Sequence, residues 1–531
     1  MIEKLQLLHP EILLFAVTCV VMLLGLARTA VARRSAALIT GLGLAGAAYL
    51  GTRSPTGVAE VNLPNILPYA KTVIALVALL ILPLLAGTVD RAFETAIEKG
   101  RAFDPLRATR GEFYAFFLFS VTGVMLCATA DDLIWLFLAL ELTSLPTYIM
   151  VATGSSRLRA QEAGVKYFFL GAFGAAMFLY GFAMLYGATG TTSLPAIWTA
   201  LSADPNGIPT LALAGVLFSI VGIAFKIAAV PMHFYAADVY QGAAAPVAAY
   251  LAFAPKAAGF LALIAILSAV GWRFGPEGEA LPDAVRVTLW VMAAATMTIG
   301  NALALMQYSV KRMLAYSSVA HSGYIIVGLL AGPGDPTRPA SNGLGGALLY
   351  LAIYGVMNLG AFAVIACLER ENERGERVEA ETLDDIAGLC RTHPWLGWSM
   401  VICALSLLGF PPLLGFWGKL ALFTSGLAAG EYALVVILAL NSAIAAWYYL
   451  RLATAPLLGV RPPEMHAPTL FPSRARRLAA VLSAAGVIVL IFFVSGMQEA
   501  AHRAGLQQTS RLRTDAPPAG VPPLAVNDSD R

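Results

Sequence analysis

Charge is scarce in this 531-residue chain. Only 13% of its residues are Asp, Glu, Lys or Arg, where a soluble globular protein carries roughly 25%. That shortage argues against an ordinary water-soluble domain. Cysteine is scarcer still. The five present (Cys19, Cys127, Cys367, Cys390, Cys403) are scattered, and no two form CxxC. Four lie in or near apolar runs, where a free thiol behaves as a small hydrophobe. The spacing therefore predicts no iron–sulfur cluster, zinc site or disulfide framework. No glycine-rich loop follows a strand, so no nucleotide site is indicated. Short segments of alternating polarity are missing too, which argues against a membrane β-barrel. If the chain works in redox metabolism, the electrons run elsewhere.

What is present is apolar. Hydrophobic residues make up 58% of the chain, and mean hydropathy is +0.73. Apolar segments of about 20 residues recur, each long enough for the hydrocarbon layer of a bilayer. The reading is an all-α, polytopic membrane protein with about fourteen transmembrane helices. The predicted spans are Glu11–Ala27, Ser35–Thr52, Ala70–Thr88, Phe113–Ala130, Leu133–Ala152, Ala163–Gly187 and Leu211–Tyr235. They continue with Ala243–Val270, Val285–Gln307, Leu314–Ala331, Gly343–Leu368, Trp395–Ala428, Tyr432–Leu450 and Leu478–Gly496. With the N-terminus outside, the inner loops hold roughly twice as many Lys and Arg as the outer side, as the positive-inside rule expects. Both termini then lie on the outer (periplasmic) side. The arginines Arg28, Arg33 and Arg34 follow the first apolar run, which reads as a retained helix rather than a cleaved signal.

Two spans look broken. Pro231 interrupts one, and Pro411-Pro412 interrupts the other. Proline removes a backbone donor and clashes with the preceding turn, so in lipid the freed carbonyls need partners from protein or water. Interrupted helices at matching positions of two halves point to a repeat-built transporter. The predicted organisation is an N-terminal three-helix segment (1–112), two inverted five-helix repeats (113–270 and 271–452), a C-terminal transmembrane helix (453–497) and a disordered tail (498–531). The charged loop Glu369–Thr392 reads as a solvated surface helix.

Four lysines sit inside apolar spans: Lys166, Lys226, Lys256 and Lys419. A cation at mid-membrane costs roughly 2.5–3.5 kcal/mol on insertion scales, and moving protons or ions is the leading use for such residues. Lys226 and Lys419 flank the two breaks. Glu141, near the middle of its span, is as costly if unpaired, and Lys226 is the preferred partner. His321 lies among Ser317, Ser318 and Ser322, hydroxyls suited to a relay; a satisfied core histidine fits equally. His233 reads as a cap for freed carbonyls, and Asp238 as an anchor or proton entry. Lys71, at the edge of the span Ala70–Thr88, is counted with the outer side, and Trp447-Tyr448-Tyr449 reads as an interfacial belt.

Several motifs carry a resemblance. They are Phe225-Lys226-Ile227-Ala228-Ala229-Val230-Pro231-Met232-His233, Asp238-Val239-Tyr240-Gln241-Gly242, Lys311-Arg312-Met313-Leu314-Ala315-Tyr316-Ser317-Ser318, and Leu408-Gly409-Phe410-Pro411-Pro412 with Gly415-Phe416-Trp417-Gly418-Lys419. Over Phe113–Leu450 the chain closely resembles the antiporter-like membrane subunits of respiratory complex I, the proton-pumping NADH:quinone oxidoreductase. Within them it is most similar to the N type, on Asp-Val-Tyr-Gln-Gly, the start His9-Pro10-Glu11 and a lysine at 419. The resemblance implies a proton relay through Glu141, Lys166, Lys226, Lys256, His321 and Lys419, in an energy-transducing membrane, most readily a bacterial inner membrane. It implies no cofactor in this chain, with FMN, Fe–S clusters and quinone held elsewhere in the complex. The implied partners are another antiporter-like subunit, small membrane subunits and lipids, and no nucleic acid. Family members often carry Thr-Pro before Asp-Val-Tyr and a further Pro soon after Gly; here Ala236-Ala237 and Ala244 stand instead. A subunit of a multi-component Na⁺/H⁺ antiporter is the alternative, and a non-transporting scaffold with structurally paired lysines is a third reading.

Overall fold

A computed structural model describes residues 2–56, 66–89, 91–104, 109–155, 157–203, 207–273, 280–335, 338–371, 377–461 and 468–514. The described residues are mostly helical. Eleven helices among them are long and apolar enough to cross a membrane. The helices used below are α1 (His9–Gly25), α2 (Ala30–Thr52), α3 (Leu67–Leu85), α4 (Arg110–Ala128), α5 (Leu133–Thr153) and α6 (Leu158–Thr189). Next are α7 (Thr210–Lys226), α8 (Ala236–Gly242), α9 (Ala245–Leu251), α10 (Ala254–Val270), α11 (Asp283–Leu305) and α12 (Val310–Ala331). The last are α13 (Gly343–Ala366), α14 (Pro394–Leu408), α15 (Leu414–Ala428), α16 (Tyr432–Leu458), α17 (Arg474–Val489) and α18 (Val494–Thr514).

Burial sorts these helices into an inner and an outer set. Every residue of α10 is buried, and α13 is nearly as enclosed, although both are apolar on all sides. A helix hydrophobic all round belongs in a core or a membrane. Here α10, α12 and α13 take the centre. α2, α6 and α16 keep exposed apolar faces, as lipid-facing helices do.

Both predicted breaks are present. α7 stops at Lys226, and the chain runs irregularly to Tyr235 before α8 begins. α14 stops at Leu408, and α15 starts at Leu414. The Val230–Pro231 and Pro411–Pro412 peptide bonds are cis. Three backbone donors at the start of the first break are satisfied: Ala228 N–H by the Phe225 carbonyl at 3.1 Å, Ala229 N–H by the Ala224 carbonyl at 2.9 Å, and Val230 N–H by Thr296 Oγ1 at 3.0 Å. In the second break Gly409, at φ +87°, turns the chain. A Cβ there would meet Lys419 Cδ at 2.9 Å, so the lysine stem packs against bare backbone.

Four expectations need correction. The span Ala243–Val270 is not continuous: Ala252 and Phe253 separate α9 from α10, and Pro255 occupies the first turn of α10. That puts Lys256 at a helix start rather than mid-helix. Where the family's proline is replaced by Ala244, that alanine is the N-cap of α9, and Pro246 fills the first turn, so the helix still starts with a proline.

The charged segment opens as a sheet rather than a surface helix, and among its described residues only the end, Leu389–Thr392, is a short helix. Strands β1 (Leu368–Glu371), β2 (Arg377–Glu379) and β3 (Thr469–Leu470) are antiparallel in the order β2-β1-β3. Glu369 faces Glu379 across the ladder, a destabilising pair on its own. Each carboxylate has its own cation, Arg91 at 2.9 Å and Lys311 at 2.8 Å. These long-range cations decide the conformation. Glu373 and Glu376 of the acidic run lie outside the described residues.

Beyond Met497 the chain stays helical through Thr514; residues 515–531 lie outside the described residues. Lastly, Lys71 does not face the outer side as an exposed charge. It is the fifth residue of α3, fully buried, 2.8 Å from the buried Glu11 of α1.

Candidate functional site

Glu141 and Ser144 are three residues apart on α5, so both face one neighbour. That neighbour is Lys226, the last residue of α7. Its Nζ lies 2.9 Å from Glu141 Oε1 and 2.7 Å from Ser144 Oγ. The Phe178 ring sits 5.6 Å from the ammonium. The pair is asymmetric: the lysine side chain is 2% exposed, the carboxylate 18%. One partner is sealed in protein and the other keeps contact with the outside.

The break beyond Lys226 builds the next station. Ending α7 frees main-chain carbonyls. The Ile227 carbonyl accepts from Lys256 Nζ at 3.2 Å and from Ser322 Oγ at 2.6 Å. Lys256 also donates to Ser322 Oγ at 2.6 Å and to the Ser318 carbonyl. All these partners are neutral, so a charge on Lys256 is held by dipoles alone. Carbonyls freed by the break are thus taken by Lys256 and Ser322 at Ile227 and by the Tyr235 hydroxyl at Phe225.

The second break repeats the device. Lys419 Nζ donates to the Leu408 carbonyl, the last of α14, at 2.8 Å, and lies 5.2 Å from the Tyr324 ring centroid. Each break therefore presents a main-chain oxygen to a buried ammonium.

His321 stands between them on α12, next to Ser322. Its Nδ1 is 2.5 Å from the Tyr350 hydroxyl and its Nε2 is 2.7 Å from the Tyr449 hydroxyl. Ser317 Oγ reaches the same Tyr449 hydroxyl at 2.5 Å. The Tyr324 ring, which faces Lys419, lies edge-on to His321 with centroids 5.5 Å apart. Tyr324 and Tyr448 are tied by Asn301, at 3.0 and 2.9 Å.

Five of the six predicted site residues, Glu141, Lys226, Lys256, His321 and Lys419, join one buried polar row. Lys166 does not. Its side chain is 45% exposed and pairs with Glu162 at 2.7 Å and Asp238 at 3.6 Å. Asp238 in turn pairs with Arg312 at 2.7 Å. Lys166 sits near the start of α6, where a long side chain reaches the surface cluster instead of the interior.

Sequence reasoning missed Ser144, Tyr350 and Tyr449 as partners in the row. The assignment of Tyr448-Tyr449 to an interfacial belt is wrong: both are 1% exposed, while Trp447 beside them is 65% exposed. Successive helix positions point about 100° apart, so adjacent aromatics divide between lipid and core. The signal for Ser144 is its spacing from Glu141. Among the described residues, Lys71 and Lys311 are buried cations that also went unseen. Lys71 pairs with Glu11. Lys311 donates to the Ala243 carbonyl at 2.7 Å and pairs with Glu379.

The model of the family described as "NADH:quinone oxidoreductase/Mrp antiporter, TM" matches residues 130–445. That stretch holds both breaks and the buried row up to Lys419, and ends just before Tyr448 and Tyr449. The chain belongs to this family. Among curated relatives of this NADH:quinone oxidoreductase/Mrp antiporter chain is NADH-quinone oxidoreductase subunit N of Myxococcus xanthus. It is 40% identical over 403 residues, covering 72% of this chain and 76% of that one. Subunit N 2 of Roseiflexus castenholzii is 40% identical over 388 residues, covering 72% and 74%. Among solved structures, a chain of respiratory complex I from Thermus thermophilus with bound aureothin has a TM-score of 0.72 at 29% identity, covering 93% of this chain and 100% of that one. A chain of the Mrp complex from Dietzia has a TM-score of 0.73 at 20% identity, covering 97% and 100%, a likeness of fold.

Proposed function

We propose that this chain is the N-type membrane-arm subunit of a bacterial NADH:quinone oxidoreductase and translocates protons when neighbouring subunits reduce quinone. The observation that carries this reading is the Glu141–Lys226 pair set one residue from the carbonyl that holds Lys256. The relatives named subunit N support the assignment to the N type.

In this reading the chain forms fourteen spans, with two inverted five-helix repeats at 113–270 and 271–452, and lies in the bacterial inner membrane with its N-terminus outside. It carries no redox cofactor; FMN, Fe–S clusters and quinone belong to other subunits. Its neighbours are another antiporter-like subunit and small membrane subunits.

Lys166, at the surface beside Glu162 and Asp238, takes the entry position. Glu141 and Lys226 form a switchable pair. When the pair opens, the Lys226 ammonium loses its counter-charge in a desolvated site and releases its proton toward Lys256, which is held through Ile227 and Ser322. From Lys256 the proton passes along Ser318, His321, Tyr449 and Tyr350, with water filling the gaps, to Lys419. Each step moves one proton between nitrogen and oxygen atoms, and no electron moves.

The test is proton uptake into proteoliposomes by the assembled complex carrying Lys226→Ala. Lost pumping together with lowered quinone reductase activity is expected. Undiminished rates of both in assembled complex would refute the relay. Co-purification separates the antiporter alternative: flavin and iron–sulfur subunits mark the oxidoreductase, while small membrane subunits alone mark the antiporter.

A further inference from the structure

Away from the buried row, α14 and α17 start side by side, and a cavity of about 570 Å³ opens between their first turns. Arg474, Arg477 and His393 line it at one end, and Trp395, Leu478 and Val481 line it along the helices. Among the described residues no Asp or Glu lines it. Neither arginine has a carboxylate partner among the described residues, unlike Arg91, Arg286 and Arg312 of the same chain. The cavity's positive charge comes from Arg474 and Arg477; burial, and then the charges of Arg477 and Arg461, hold the His393 imidazole below its usual range, toward the neutral form.

The geometry has two polarities. α14 and α17 are apolar from their second turns onward, so their starts mark the boundary of the hydrocarbon layer. Trp395 is 77% exposed and Leu478 53% exposed, a tryptophan at the interface with a leucine below it, as membrane boundaries favour. The positive ends of both helix dipoles also face this boundary. A ligand that fits has an anionic head and a long apolar tail.

We propose that this cavity binds an anionic phospholipid. The phosphodiester lies between Arg474 and Arg477, and one acyl chain runs down Trp395, Leu478 and Val481. Basic pockets between transmembrane helices are suited to such headgroups. A free phosphate has no use for the apolar wall, and a zwitterionic lipid brings its own cation to a site already positive.

The experiment uses the whole complex in nanodiscs of phosphatidylcholine doped with phosphatidylglycerol carrying a photoactivatable acyl chain. Cross-links are mapped by mass spectrometry. The expected result is labelling of the Trp395 and Leu478 peptides by the phosphatidylglycerol probe and not by the same probe on phosphatidylcholine. Each surface arginine is worth on the order of 1 kcal/mol toward an anionic headgroup, so Arg474→Gln with Arg477→Gln should weaken labelling about 30-fold. Arg474→Lys with Arg477→Lys keeps the charge and should retain most of it; this pair controls for misassembly, which a native gel reads directly. Three outcomes overturn the proposal: equal labelling by phosphatidylcholine, full competition by inorganic phosphate, or cross-linking of these peptides to a neighbouring subunit in place of lipid.

Discussion

Nε2 of His321 lies 2.7 Å from the hydroxyl of Tyr449, across 128 residues of sequence. Ser317, one turn from His321 on α12, meets the same hydroxyl. One phenol thereby ties the central helix to α16 and turns His321 and Ser317 into neighbours in a single hydrogen-bonded unit. With Tyr350 on Nδ1, both imidazole nitrogens are engaged. A proton arriving on one nitrogen can leave from the other.

Tyr449→Phe removes that junction and little else, because the ring stays packed. A buried polar group left without a partner costs about 1–3 kcal/mol, so proton translocation should fall about tenfold or more while the complex still assembles. Proton uptake normalised to complex content checks this. Trp447→Phe, two residues away and facing outward, should change neither.

The Glu141–Lys226 pair predicts a difference between breaking and replacing. Glu141→Ala strands a buried ammonium, and breaking a buried pair destabilises by roughly 3–5 kcal/mol. Because Glu141 keeps contact with the outside, the loss should be smaller, about the 1–3 kcal/mol of a buried polar group left unsatisfied. Glu141→Leu combined with Lys226→Met should restore most of the lost thermal stability without restoring transport. Thermal denaturation of the purified complex, paired with proton uptake, separates the two roles.

How much of this was legible beforehand follows from the range of the interactions. Apolar length and proline are local signals, and they located both breaks, Glu141 and the buried Lys226, Lys256 and Lys419, though not the buried Lys71 and Lys311, and they wrongly placed Lys166 inside. Contacts across distant segments left no local trace. Tyr449 reads as one more aromatic in a cluster, and only its helical angle separates it from Trp447. Lys71 sits near a span edge and gains meaning only from Glu11, 60 residues earlier. The pairing of β1 with β2 was missed for the same reason: Arg91 and Lys311, far off in sequence, supply the charges that let two facing glutamates coexist.

Ala228 supplies a prediction about the first break. It is the one non-glycine residue with positive φ (+54°) among the described residues, and it is buried. A left-handed conformation costs an L-residue about 1–2 kcal/mol, more when the side chain is branched at Cβ. Ala228→Gly should be accepted with transport intact. Ala228→Val should lower the yield of assembled complex, measured on native gels.

Glu379 predicts a pH dependence outside the membrane. Burial pushes its carboxyl up, but Lys311 and the Ala245 N–H outweigh that, and the group is held below its usual 4.5. A depressed carboxyl contributes stability that is fully present above its unfolded value, about 4.3, and is lost as pH falls through the folded value. Hydrogen exchange should therefore show the β1–β2 hairpin protected at neutral pH and opening in the acid range below about 4. Glu379→Gln should open it at all pH values.

The central claim is that Lys256 passes protons between the two breaks. The most direct measurement is the number of protons pumped per NADH oxidised by proteoliposomes containing the Lys256→Ala complex, with assembly verified on native gels. A lower ratio than wild type, or loss of pumping together with turnover, is the predicted result. An unchanged ratio at an unchanged turnover rate would contradict it.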